Sequence, residues 1–124
     1  MKNCLIRGIH HICIKVEDIQ ASVDFYTHQM GYQIRFQTDQ CAMLDGQDGT
    51  RLEFFPKDNE NGYAHIAYAC DDVDRMYQRA IESGCEAVKP PVNVILPSFT
   101  ARIAFFMDPL GNKIELFCEY SGEN

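Results

Sequence analysis

The stretch His11-Ile12-Cys13-Ile14-Lys15-Val16-Glu17-Asp18-Ile19 is answered 54 positions later by His65-Ile66-Ala67-Tyr68-Ala69-Cys70-Asp71-Asp72-Val73. A second stretch, Gly49-Thr50-Arg51-Leu52-Glu53-Phe54-Phe55, returns 62 positions later as Gly111-Asn112-Lys113-Ile114-Glu115-Leu116-Phe117, with the Gly, the Glu and the last Phe identical. An internal repeat restricts the fold more than any other feature, because equivalent segments adopt equivalent structure and each copy needs its neighbour to cover its apolar face. The offset grows by eight residues, so the second copy carries a net insertion of that length between its helix and its last strand. The expected place is an inserted loop from Asn93 to Phe99, around Pro97. The 124 residues are then one domain, of ordinary single-domain size, made of two modules at about 8–58 and 62–120.

Each module opens as a strand running into a helix cap. After Asp18 the apolar positions Ile19, Val23, Tyr26 and Met30 follow helical spacing, as do Val73, Tyr77, Ala80 and Ile81 after Asp72, with Gly31 and Gly84 as helix stops. The rest of the first copy divides at Asp45-Gly46 and Asp48-Gly49 into strands Tyr32 to Gln37, Cys41 to Leu44 and Arg51 to Phe55. In the second copy the strands are expected near Glu86 to Val88, Arg102 to Met107 and Lys113 to Cys118. Asp108-Pro109-Leu110-Gly111 forms a tight turn between the last two. The fold class is α+β, two tandem βαβββ modules.

Strand alternation places His11, Cys13 and Lys15 on one face and Ile12, Ile14 and Val16 on the other, against the helix. By the same parity His65, Glu53 and Glu115 point away from the helices, as do Phe55, Lys57 and Phe117. One strand histidine or one strand glutamate alone reads as a structural or solvated residue. Two of each, kept at equivalent places of a repeat and all on the face opposite the helices, read as a metal site. If the strands form one curved sheet, His11, Glu53, His65 and Glu115 supply two nitrogens and two oxygens, a set suited to Zn, Ni, Co or Fe with positions left open for substrate. His10 and His28 face Ala64 and Glu82 in the repeat and read as structural.

Eighteen acidic against eleven basic residues give a net charge of −7, which repels phosphodiester backbones and anionic lipid headgroups. Nucleic acid and membrane surfaces are therefore not expected partners. No apolar run approaches the roughly 20 residues that cross a bilayer, and the first residues lack the apolar core of a secretory signal, so a cytoplasmic protein is expected. Cys4, Cys13, Cys41, Cys70, Cys85 and Cys118 contain no CxxC spacing. They are expected to be reduced and mostly buried in strands.

The motifs His11 to Ile19, Asp24-Phe25-Tyr26, Gly31-Tyr32, Gly62-Tyr63-Ala64-His65-Ile66-Ala67 and Asp108 to Leu116 resemble those of the vicinal oxygen chelate superfamily, from about Ile9 to Tyr120. The chain looks most like the glyoxalase I branch, lactoylglutathione lyases. That resemblance implies a curved sheet around one divalent metal, Ni, Co or Zn, held by His11, Glu53, His65 and Glu115. It implies Glu115 as the base that moves the substrate proton, with Glu53 as its near mirror image. It also implies a small-molecule substrate, a hemithioacetal of a 2-oxoaldehyde with glutathione or another thiol, and a homodimer. Lys15 and Lys57 are the candidates for the thiol end, and Phe55 and Phe117 for the walls. Ring-cleaving dioxygenases and fosfomycin-type transferases do not ask for Glu53. Methylmalonyl-CoA epimerases share an opening like His10 to Val16 but usually carry Gln at the place of Glu53. A non-catalytic binding or resistance protein of the same fold is the remaining alternative.

Overall fold

The computed structural model describes residues 5–57 and 62–120, so Cys4 and the Asp58 end of the first module lie outside the described residues. The elements follow the βαβββ order twice: β1 Ile6–Val16, α1 Ile19–His28, β2 Gln33–Gln37, β3 Ala42–Asp45 and β4 Arg51–Pro56, then β5 Gly62–Cys70, α2 Val73–Glu82, β6 Glu86–Ile95, β7 Thr100–Met107 and β8 Lys113–Tyr120. The chain divides into two compact units, His11–Ala64 and, together, the residues up to His10 with those from His65 on.

In the His11–Ala64 unit the strand order is β2-β3-β4-β1. The β1–β4 pair is parallel and the others antiparallel. Asp18 caps α1 by accepting the Ala21 N–H at 3.0 Å, which satisfies one of the donors a helix start leaves open. Val23 of the helix packs with Ala42, Leu44, Leu52 and Phe54, with Ile12, Ile14 and Val16 at the margin. Ile12, Ile14, Val16, Leu52 and Phe54 are the alternating apolar positions read from β1 and β4. The helix stops at His28, two residues before Met30, and Gly31 follows at φ 81°. Phe54 is fully buried and its ring centroid lies 5.2 Å from that of Tyr26. Phe54→Ala is therefore expected to cost about 3–5 kcal/mol, read as a lower urea midpoint with the slope unchanged.

In the other unit the order is β5-β8-β7-β6, with β5 parallel to β8. Asp72 caps α2 through the Arg75 N–H at 3.1 Å. Its end is a Schellman motif: Cys85 N–H donates to Ala80 O and Gly84 N–H to Ile81 O, with Gly84 at φ 105°. The helix packs on Cys70, Ala104, Phe106 and Leu116. The start of β1 belongs here, since Leu5 and Ile6 join this core, Leu5 O accepts the Asp71 N–H and Arg7 pairs with Asp71 at 2.7 Å.

The eight-residue insertion is not a loop from Asn93. It lengthens the β6–β7 hairpin, whose turn is confined to Leu96–Phe99, where Leu96 N–H donates to Phe99 O at 2.8 Å. Val94 and Ile95 pair with Ala101 and Thr100, as β-branched residues favour. Pro90 and Pro91 are tolerated because β6 is the outermost strand of this unit. The register shifts there, between Lys89 and Val92, where the prolines offer no N–H. In the turn between β7 and β8, Asp108 accepts the N–H groups of Leu110 and Asn112 and the Asn112 amide. These bonds, the Asn112 backbone first, hold its carboxyl below the usual range. Their contribution is present above the ordinary carboxylate pKa and is lost as pH falls through the lowered folded value. Among the described residues no helix is long and apolar enough to cross a membrane.

Candidate metal centre

Each unit holds one buried His–Glu pair on the sheet face away from its helix, and both pairs arise from the same register. Parallel pairing of β1 with β4 sets Glu53 level with Cys13, two residues past His11. His11 Nε2 then stands 3.0 Å from Glu53 Oε1. Parallel pairing of β5 with β8 sets Glu115 level with Ala67, two residues past His65. His65 Nε2 and Glu115 Oε1 are hydrogen-bonded at 2.8 Å. The exposures are 0% and 5% for His11 and Glu53, and 8% and 5% for His65 and Glu115.

Burying a carboxylate costs several kcal/mol unless a partner compensates, and here each carboxylate has an imidazole as partner. Ligand atoms about 2.1 Å from a divalent ion and at right angles stand about 3.0 Å apart. The two Nε2···Oε1 separations match that edge, and imidazole with carboxylate suits a borderline ion. Each pair therefore fits as two neighbouring ligands of a divalent metal.

The other sequence candidates are dispersed. Lys15 is half-buried on β1 beside Phe55, its register partner, and Phe55 is 36% exposed. Lys57 lies exposed just past β4, where its backbone N–H donates to Val16 O. Phe117 is buried, with the His10 ring 4.3 Å away and Phe99 edge-on at 6.0 Å. His10 is itself buried, its Nε2 2.9 Å from Glu119 Oε1. His28 is exposed at the end of α1. Arg102 is engaged by Asp74 at 2.8 and 3.1 Å and by Asn93 at 3.1 Å.

Two neighbours of the pairs escaped the sequence reading. Met43, fully buried, is the β3 partner of Glu53, and Phe105 is the β7 partner of Glu115, its ring edge-on to His65 at 5.2 Å. Strand parity would have put both on this face, but only the register sets them beside the carboxylates. Burial pushes the thiols of Cys41, Cys70 and Cys118 up. All three are expected to alkylate far more slowly at neutral pH than in the unfolded chain, followed by peptide mass spectrometry.

Two βαβββ units, each with a buried His–Glu pair at the same register, define a duplicated-module α+β protein whose paired side chains are of the types that bind a divalent metal. The chain belongs to the glyoxalase/bleomycin resistance protein/dioxygenase superfamily, whose sequence model matches residues 8–116. Members of that superfamily are commonly enzymes, and the fold typically binds a divalent metal. The chain is 29% identical to the lactoylglutathione lyase of Neisseria meningitidis, over 92% of each chain. Methylmalonyl-CoA epimerase from Mycobacterium tuberculosis superposes with a TM-score of 0.77 at 21% identity, over 97% of this chain and 93% of the other. The Mn(II)-bound glyoxalase from Novosphingobium aromaticivorans superposes with a TM-score of 0.78 at 19% identity, over 97% of this chain and 42% of that longer one.

Proposed function

We propose that the chain is a metal-dependent lyase or isomerase of the glyoxalase I type, converting the hemithioacetal of a 2-oxoaldehyde and a thiol to an S-2-hydroxyacyl thioester. The observation that carries this reading is the second carboxylate. Glu53 is buried and paired with His11 as Glu115 is with His65, whereas a site with two histidines and one carboxylate needs no Glu53. In this reading His11, Glu53, His65 and Glu115 hold one divalent cation, Ni, Co or Zn, within one chain or across a homodimer. When bound, that ion supplies Lewis-acid stabilisation of negative charge developing on the substrate's vicinal oxygens.

The chain's own residues do the rest. The Glu115 carboxylate takes the proton from C1 and returns it to C2, and Glu53 is the second carboxylate available for proton transfer. His65, hydrogen-bonded to Glu115, orients that carboxylate. Lys15 and Lys57 serve the thiol end, and Phe55 and Phe117 the apolar wall.

The test is a coupled assay of methylglyoxal with several thiols, glutathione among them, across Ni, Co and Zn, following thioester formation, with sedimentation to report the dimer. Thioester formed with at least one thiol supports the reading. Turnover of methylmalonyl-CoA and of no thiol adduct would replace it with an epimerase. Ligand retention with no turnover under any metal would replace it with a binding protein.

A further inference from the structure

In the unit that holds His65 and Glu115, Ile114, Leu116 and Cys118 of β8 pack on the core beneath α2, so Lys113, Glu115, Phe117 and Glu119 share the opposite face. Lys113 is the one basic residue of β8, and it is exposed. Its Nζ stands 4.9 Å from the centroid of the half-buried Phe105 ring. That ring meets the His65 ring edge-on, with centroids 5.2 Å apart. His65 in turn is hydrogen-bonded to Glu115 at 2.8 Å. The order ammonium, phenyl ring, imidazole, carboxylate is therefore a row of direct contacts inside one unit, and it ends on the proposed base.

Arg7 and Arg102 of the same unit are committed to Asp71 and Asp74. Among the described residues the Lys113 ammonium joins no salt bridge. A ring face holds such a group in place without neutralising it, and the flexible lysine stem lets it turn to meet an anion. In a chain of net charge −7, a cation one ring away from a buried His–Glu pair fits an anionic group on a ligand that reaches that pair. One ammonium matches the single charge of a carboxylate better than the double charge of a phosphate.

We propose that Lys113 is a specificity-determining residue that receives a carboxylate on the non-reacting end of the thiol, with Phe105 as the platform between that end and the His65–Glu115 pair. The accepted adducts are then those of carboxylate-bearing thiols rather than of neutral ones. The proposal rests on the glyoxalase-type reading above and names the substrate class within it. Lys113 touches no reacting atom. Its contact with the carboxylate is the same before and during proton transfer, so it lowers KM and leaves kcat unchanged.

The experiment compares ω-mercapto acids of rising chain length with the corresponding ω-mercapto amides, each as its methylglyoxal adduct. At the length that spans from Glu115 to Lys113, wild type is expected to favour acid over amide by about three- to fivefold in kcat/KM, through KM, and salt is expected to shrink the preference. Lys113→Gln is expected to erase it, Lys113→Arg to keep it and Lys113→Glu to reverse it. Arg75→Gln, which removes the same charge from an exposed position on α2, is expected to leave it intact. Equal use of acid and amide at every length would overturn the proposal, as would a preference that survives in Lys113→Gln or disappears equally in Arg75→Gln.

A second readout needs no turnover. Lysine acetylation by an N-hydroxysuccinimide ester, mapped by mass spectrometry with and without added Zn, is expected to slow several-fold at Lys113 when an S-methylated ω-mercapto acid of the same series is present, and not with its amide. Protection of Lys15 or Lys57 with Lys113 unprotected would overturn the proposal. Protection of Lys113 by inorganic phosphate as strong as that by the acid would overturn the assignment to a carboxylate. If no thiol adduct is turned over under any metal, the functional reading fails, and the acetylation still decides whether Lys113 binds a carboxylate.

Discussion

Glu115→Gln is expected to lower turnover by about 10²–10⁴-fold, the usual contribution of a positioned base, with most of the metal retained. Glutamine keeps the volume of glutamate and keeps an oxygen that can face a metal, but it has no carboxylate to take a proton. His65 Nε2, 2.8 Å from Glu115 Oε1, retains an acceptor there, so the buried site keeps its packing and its polar contact. The loss should appear in kcat, with KM nearly unchanged, because the interaction removed is made in the transition state. Metal content measured on the same sample separates this from loss of the ion. Full activity in Glu115→Gln would remove Glu115 from the chemistry.

Removal of the proposed metal is expected to have the other large effect. Chelation is expected to bring turnover down to the uncatalysed background, with Ni, Co or Zn restoring it. Thermal stability should move with it, since an ion bound to the native state alone adds about 4 kcal/mol when free metal is 1,000 times its dissociation constant. The structural basis is the burial of two His–Glu pairs. Without a cation each unit must accommodate a shielded carboxylate against one imidazole. His11→Ala removes a nitrogen donor and leaves Glu53 buried beside the gap, so metal affinity should fall by at least about 10²-fold and the metal-induced rise in Tm should shrink accordingly. A rise in Tm equal to that of wild type would exclude His11 as a ligand.

Much of this was legible in the residue order. Alternation in β1 and β4 set Ile12, Ile14, Leu52 and Phe54 against α1, and His11 and Glu53 away from it, because the period of a strand is two and parity needs no partner. The repeat transferred that reading to His65 and Glu115. Asp18 and Asp72 were legible as caps for a similar local reason, since the donors they satisfy lie three residues on.

Long-range pairing was not legible. The Asn93–Phe99 insertion carries Pro97 and lacks a strand-length run, yet pairing of Val94 and Ile95 with β7 draws its first residues into a hairpin. His10 had no counterpart in the repeat, and its partners Glu119 and Phe117 lie more than a hundred residues away. Phe117, expected as a wall of the site, packs against His10 and Phe99, neither of which its own strand could reveal.

By itself the sequence determined the duplicated βαβββ layout and the face each side chain takes, because periodicity and capping act within a few residues. Tertiary structure alone decided the register. Which carboxylate meets which imidazole, and whether Cys13 with Met43 or Ala67 with Phe105 stands beside it, depends on how strands distant in sequence slide against one another until their apolar faces are covered.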